Sequence, residues 1–269
     1  RMFRRAAAQF GRVATGLAGV QVAAAATVAL SDKELSRKPE WYQQAVHSVE
    51  DALKRLSKYG FIESPLALEE AHDALIKVAE VHNTELLWRV ARVLFEKAEL
   101  SKNHSEQLHL LHEAKEYAKK ALAVEPAKGS AGAHKWYALI LQRLAKLEKK
   151  HDYEEEAAKH LEKAVAIDPK DPYALHLLGV HQYNKKDYAA AIATFQKAEA
   201  IKAGFSAANL YYLGVALKGA GKKQEAIEKL KAAVQTHSRN RFDGKARSNA
   251  KNALNSLGLK PEEYEIEDL

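Results

Sequence analysis

"EKAVAIDPKDPYALHLLG", residues 162–179, decides how the chain is to be read. An alanine-spaced helical run ends at Pro169, a short charged turn follows, and a second run closes on Leu177, Leu178 and Gly179. Pro169 stops the first run because its ring clashes with the preceding turn and it has no N–H to donate. Asp171 stands where it can cap the next helix, with Pro172 at the first helical position, where a missing N–H costs nothing. The stretch reads as helix–turn–helix.

Working outward, the unit recurs. "AKEYAKKALAVEP" from Ala114, "AAKHLEKAVAIDP" from Ala157, "AIATFQKAEAIKA" from Ala191 and "AIEKLKAAVQTHS" from Ala226 align without gaps. The first column is alanine throughout, and so is the eighth: Ala121, Ala164, Ala198 and Ala233. The fifth reads Ala118, Leu161, Phe195 and Leu230, and the thirteenth Pro126, Pro169, Ala203 and Ser238. Start-to-start spacings are 43, 34 and 35 residues. Small residues at columns one and eight let helices approach closely, and the larger fifth residue fills the space between them. Leu178-Gly179 and Leu213-Gly214 both put their glycine twelve residues before a column-one alanine, in the partner helix. A period near 34 with these signatures is the tetratricopeptide pattern. The expected fold is all-α, a right-handed helical solenoid of tetratricopeptide-type helix-turn-helix repeats.

Composition agrees: Ala, Leu, Lys and Glu dominate, with 13 Gly and 6 Pro in 269 residues, and such side chains lose little freedom in a helix. The expected organisation has four parts. Residues 1–30, with four arginines and no acid, read as a mitochondrial targeting or membrane-anchor segment; residues 13–30 are uncharged but near the lower length limit for a span. Residues 31–66 form an N-terminal helical region, in which Ser31 and Glu34 suit a capping box, Val46, Val49, Leu53 and Leu56 recur at helical spacing, and Gly60 marks a stop. Residues 67–257 hold the repeats and a C-terminal capping helix, with "LALEEAHDALIKVAEVHN" and "TELLWRVARVLFEKAEL" as a further helical pair. Residues 258–269 form an acidic tail, expected to be disordered.

Zero cysteines exclude disulfides, thiolate metal sites and a cysteine nucleophile. The net charge of +7 suits acidic partners, though Lys-rich helical proteins carry such charge for solubility alone. No glycine-rich phosphate loop is present. His109 and His112 share a helix face near His104 but lack further ligands for zinc, and the acids at 154–156 favour a helix start. The expectation is no enzyme, no metal and no cofactor.

A repeat solenoid binds on the face of its first helices. Counted from the Leu-Gly register, that face takes Gln142, Lys146 and Lys149, then Tyr173, His176, Val180 and Tyr183, then Tyr211, Val215 and Lys218. The mixture suits an amphipathic ligand, either a peptide with an acidic end or a phospholipid. The carboxylate clamp of chaperone-binding domains is absent: its positions read Gln142, Lys146, Leu177, Ala208 and Tyr212. A second surface, "HSRNRFDGKARSNAK" (237–251), offers Arg239, Arg241, Lys245, Arg247 and Lys251 to acidic protein tails or lipid heads. Nucleic acid is disfavoured, since Phe242 is the one base-stacking ring there.

"TELLWRVAR" (84–92), "EAKEYAKKALAVEP" and "AHKWYALIL" within 113–141, and "LEKAVAIDPKDPYALHLLGV" (161–180) resemble the regulator of microtubule dynamics family. The likeness covers roughly residues 83–205. It implies an all-helical tetratricopeptide domain behind a mitochondrial targeting or anchoring segment. It also implies microtubule association and, for a larger member, phospholipid binding at contacts between mitochondria and the endoplasmic reticulum. Trp88, Arg89, His134, Lys135, Trp136 and Tyr137 carry over by motif and are expected to be structural. The chain departs from animal members in running directly through "HQYNKKDYAAAIATF", where they have an aromatic- and basic-rich insertion. It also has a shorter segment after "HKWYALIL" and no acidic two-phenylalanine motif.

The expected function is a non-enzymatic mitochondrial adaptor, at the outer membrane or in the matrix. Its partner is a protein with acidic tails, tubulin among them. The alternative is a lipid-binding or transfer module with a deep apolar groove. A purely structural assembly subunit would instead expose a large apolar patch.

Overall fold

The computed structural model describes residues 62–76, 79 and 83–264, with isolated positions between 36 and 51. Among the described residues there are ten α-helices and no β-strand. They are α1 (Pro65–Ile76), α2 (Thr84–Leu100), α3 (His104–Ala123), α4 (Ala131–Glu148), α5 (Asp152–Ile167), α6 (Pro172–Asn184), α7 (Tyr188–Ile201), α8 (Ala207–Gly219), α9 (Lys223–Gln235) and α10 (Arg241–Ser256). A 3₁₀ turn, Pro261–Glu263, follows. Residues 1–30 and nearly all of 31–61, including the capping box and apolar spacing expected there, lie outside the described residues. So do residues 265–269. No described helix is long and apolar enough to cross a membrane.

The chain divides into two compact units, one reaching Glu154 and the other starting at Glu155. In the first, α2 packs on α1, α3 and α4. In the second, each helix packs on the next from α6 to α10, and first helices also touch one another, α6 with α8 and α8 with α10. This pairing of successive helices plus contact between alternate ones is the tetratricopeptide arrangement.

The alanine columns explain it. All twelve side chains of columns one, five and eight, on α3, α5, α7 and α9, have 0% exposure. Opposite them stand the glycines. A Cβ on Gly179 would come within 2.6 Å of the Phe195 ring, and one on Gly214 within 2.7 Å of Leu230. The Leu-Gly signature is therefore the socket for the fifth-column side chain of the same repeat. The 43-residue spacing is absorbed by an 18-residue α4, against 13 residues in α6, and by the longer turn before it.

Helix ends follow the sequence signals. Asp171 accepts the amides of Tyr173 and Ala174 with Pro172 in the first turn, and Asn83, Asn103, Ser206 and Asn240 cap α2, α3, α8 and α10 in the same way. Gly258, at φ 94°, closes α10. Beyond it the expectation of disorder fails as far as Tyr264. That ring is 3% exposed, packs in the cluster of Leu210, Leu230, Val234 and Leu254, and its hydroxyl donates to Asn255 Oδ1 at 2.7 Å. Acidic composition suggested a solvated tail, but one tyrosine is enough to bring the chain back onto the last repeat.

Candidate functional site

In the first unit the residues marked by motif form a core. Thirteen of the 17 residues of α2 are buried, Arg89, Arg92 and Glu96 among them. Glu85 Oε2 accepts from Trp88 Nε1 at 3.0 Å and Arg89 Nη1 at 2.8 Å, and its Oε1 accepts from Ser130 Oγ at 3.0 Å. Arg89 lies 4.0 Å over the Trp88 ring. That ring in turn fills the space where a Cβ on Gly132 would sit, 2.6 Å away. His134 pairs with Glu125 at 3.2 Å, and Trp136 meets Phe95 edge-on with centroids 5.8 Å apart. Tyr137 is buried and Lys135 half-buried. The motif thus positions helices; it presents no open site. His112 is held by Glu148 at 2.8 Å, while His109 and His104 are exposed. Glu69, His72 and Asp73 on α1 bring ligand atoms within 4.8 Å of one another, but Lys97 Nζ already occupies Glu69 at 2.8 Å. On α4, Gln142 is half-buried and Lys146 exposed, and Lys149, just past its end, is exposed too.

The second unit brings rings together on α6 and α8. Tyr173 stacks on His176, and His176 meets Tyr212 edge-on, both with centroids 5.9 Å apart. Tyr212 meets Tyr183 at 5.6 Å and Tyr211 at 5.1 Å. Val180, Tyr183 and Tyr212 pack over the Phe195–Leu213 core, and Tyr211 and Val215 over the Leu230–Leu254 core. Tyr212, which the register counting left out of the face, is its centre. Its position one residue after Tyr211 put it on the neighbouring stripe by periodicity alone, and only the close approach of α6 and α8 brings it to Tyr183. Lys218 is exposed and donates to Ser256 Oγ at 3.2 Å.

Burial raises the pKa of Tyr183, Tyr211 and Tyr212, with the neighbouring phenols adding to it. The hydroxyls stay protonated, and none has a hydrogen-bond partner among the described residues. The half-buried face therefore offers three O–H donors set in apolar rings.

His176 sits beneath that face at 6% exposure. Its Nδ1–H donates to Asn209 Oδ1 at 3.2 Å, and Asn209, at 0% exposure, donates onward to Glu199 Oε1 at 2.7 Å and to the Phe195 carbonyl at 3.3 Å. Burial pushes the imidazole down to about 4, against a smaller upward pull from Asn209 and Asp243. The unfolded chain takes up this proton near pH 6.5 and the folded one only near 4. Stability is therefore full above pH 6.5 and falls by about 3 kcal/mol as pH drops to 4. Urea denaturation from about pH 7 to 4.5 should show this slope, and His176→Gln, which keeps a donor but does not titrate, should flatten it.

Of the basic residues at 237–251, Arg239, Arg241 and Lys245 are exposed, with Arg241 5.0 Å from the Phe242 ring centroid. Arg247 Nε donates to the Val234 carbonyl at 2.9 Å and so caps α9, and Lys251 is half-buried. Asp243, buried in the same turn, accepts from Ser206 Oγ at 2.7 Å and from the Ala208 amide at 3.2 Å. This places the start of α10 beside the start of α8.

Two comparisons agree with this architecture. TTC0263, a thermophilic TPR protein of Thermus thermophilus, superposes with a TM-score of 0.55 at 16% identity, covering 78% of this chain and 98% of that one. The MamA RS-1 ArsTM double mutant superposes at 0.50 with 18% identity, covering 74% and 95%. Among sequences, mouse regulator of microtubule dynamics protein 1 is 31% identical over 218 residues, 70% of this chain and 69% of its own length. The Pongo abelii protein 1 is 34% identical over 195 residues, 61% of this chain and 60% of its own length. Bovine protein 3 is 30% identical over 191 residues, 62% of this chain and only 40% of its own length. The profile of regulator of microtubule dynamics protein 1-3 matches residues 62–188 and 184–258. With the repeats, the buried motif and these matches together, the chain belongs to the regulator of microtubule dynamics family.

Proposed function

We propose that this chain is a non-enzymatic adaptor that holds a segment of a partner protein against α6 and α8. The observation that carries this reading is the tyrosine layer, with three protonated phenols and no internal acceptor for them among the described residues. Half-buried tyrosines supply contact area at little entropic cost and a donor for each backbone carbonyl or carboxylate that reaches them. Arg239, Arg241 and Lys245 extend the surface toward an acidic flank. The relatives' name supplies the first partner to test: microtubules, whose tubulin tails are acidic. Residues 1–30 are proposed as the mitochondrial address.

Co-pelleting of the full chain with microtubules tests this. Binding is expected to weaken with salt, to fall about tenfold or more in Tyr212→Ala, as for an interface anchor, and to fall again in Arg239→Glu/Arg241→Glu. Binding unchanged by all three substitutions would overturn the reading. Phospholipid recovered at one per chain by native mass spectrometry, and lost on bulky substitution at Val180 or Val215, would replace it with the lipid-module reading.

A further inference from the structure

Three of the four turns between the first and second helix of a repeat carry a lysine pair, Lys149 and Lys150, Lys185 and Lys186, and Lys222 and Lys223, while the turn from α2 to α3 has Lys102 alone. The three also share one backbone device. Lys149 (φ 56°), Lys186 (φ 63°) and Gly221 (φ 78°) are left-handed, and the next residue's amide bonds back five residues, Lys150 to Ala145, Asp187 to Gln182 and Lys222 to Leu217. These are helix-ending turns whose left-handed position suits glycine, since a Cβ there crowds the following carbonyl. Lys149 and Lys186 are the only non-glycine residues of positive φ among those described. Where the last repeat has glycine, the other two keep a strained lysine. Strain held at a surface turn points to a use for the side chain.

In the second unit two of these turns lie side by side. Tyr188, which opens α7, rests on Gly219, which ends α8, so closely that a Cβ would come within 2.7 Å of the ring. The Lys218–Ser256 contact brings the end of α10 to the same edge. The carboxylates there are held in the fold but keep their charge, and they are fewer than the lysines of the same edge (Lys185, Lys186, Lys218, Lys222, Lys223 and Lys260). Asp187 accepts the Ala190 amide, Glu225 pairs with Lys222 at 3.2 Å, and Glu263 accepts the Lys260 amide, while Glu262 stands beyond α10. Lys185, Lys186 and Lys223 are exposed without an ion pair among the described residues.

We propose that this edge, carrying Lys185, Lys186, Lys222 and Lys223, docks the protein onto an anionic lipid surface. Ammonium groups on flexible stems, unlike guanidinium forks, attract charge without fixing its geometry. Turn tips meet a plane, and the Tyr188 ring beside them is committed to Gly219. Such an array matches the headgroup plane of a bilayer better than it grips a peptide. The edge lies at the opposite end of α8 from Asp243 and the arginines of α10 and uses none of the partner-site residues, although it adjoins the tyrosine face where Tyr183 meets Tyr188 with ring centroids 5.9 Å apart.

Flotation of the full chain with phosphatidylcholine vesicles, with and without phosphatidylserine, is the test. Beyond any binding that residues 1–30 give to both vesicles, phosphatidylserine is expected to add binding that falls with salt and by about fivefold for each unpaired lysine removed, and by less for Lys222, which Glu225 already holds. Lys186→Gly makes the sharpest prediction, because it should weaken binding while raising the melting temperature by about 3 °C. The variant Lys185→Gln/Lys186→Gly/Lys222→Gln/Lys223→Gln should lose roughly two to three orders of magnitude in partitioning and still melt cooperatively. Equal binding by this variant, or loss of binding only in Arg239→Glu/Arg241→Glu, would overturn the proposal. Binding of polyglutamate by this edge with none to phosphatidylserine vesicles would overturn it in favour of an acidic protein.

Discussion

Replacing Glu96 with alanine should destabilise the first unit by about 3–5 kcal/mol, because it leaves a buried charge without its partner. Arg92 Nε and Glu96 Oε1 are 2.7 Å apart, with side chains 6% and 1% exposed. The other carboxylate oxygen accepts the Ile62 amide at 2.6 Å, and Arg92 lies 4.9 Å over the Trp136 ring. Alanine at 96 therefore takes away the carboxylate of the guanidinium and the acceptor of the amide together. The double substitution Arg92→Met/Glu96→Leu removes both charges, and should recover most of the loss except about 1–3 kcal/mol for the Ile62 amide. Urea denaturation of the two variants decides the matter. A single variant within about 1 kcal/mol of wild type, as for an exposed pair, would show that the pair is not the buried contact described.

The second large effect is expected at Phe195. Its ring is fully buried, and truncation to alanine should cost about 3–5 kcal/mol. Gly179→Ala should cost about 1–3 kcal/mol by overpacking, since the added methyl meets the ring at 2.6 Å. The two changes occupy the same space, so their sum should exceed the cost of the double variant by more than the ~0.5 kcal/mol that independent sites show. Additive values would mean that the glycine is kept for some reason other than this ring.

The repeats were legible because their logic is local. Alanine at fixed spacing, Pro169, and Asp171 with Pro172 act within one or two helical turns, and each takes the role the sequence assigns it. The motif residues Trp88, Arg89, His134, Trp136 and Tyr137 were rightly expected in the packing. Their mutual contacts, however, cross 45 residues of chain, as from Glu85 to Ser130, and no periodicity reports that. Asn209 was invisible for the same reason. Its side chain joins α8 to His176 on α6 and Glu199 on α7, which no single helix pattern displays. Counting along α6 put His176 on the face, but three neighbouring rings cover it. Arg247 looked like surface charge by composition, while its geometry makes it a cap.

Tyr264 changes what the end of the last helix means. A stack of repeats ends in a helix pair with one side uncovered, and a terminal cap usually closes it. Here Leu254, Leu230 and Val234 are closed partly by a ring that arrives after the helix is over, on a short connection through Gly258 and Pro261. Lys260 and Pro261 in that connection are exposed. A protease cutting there would break no α-helix, yet it would free the ring and open the final core, making loss of the last repeat the signature of a single nick.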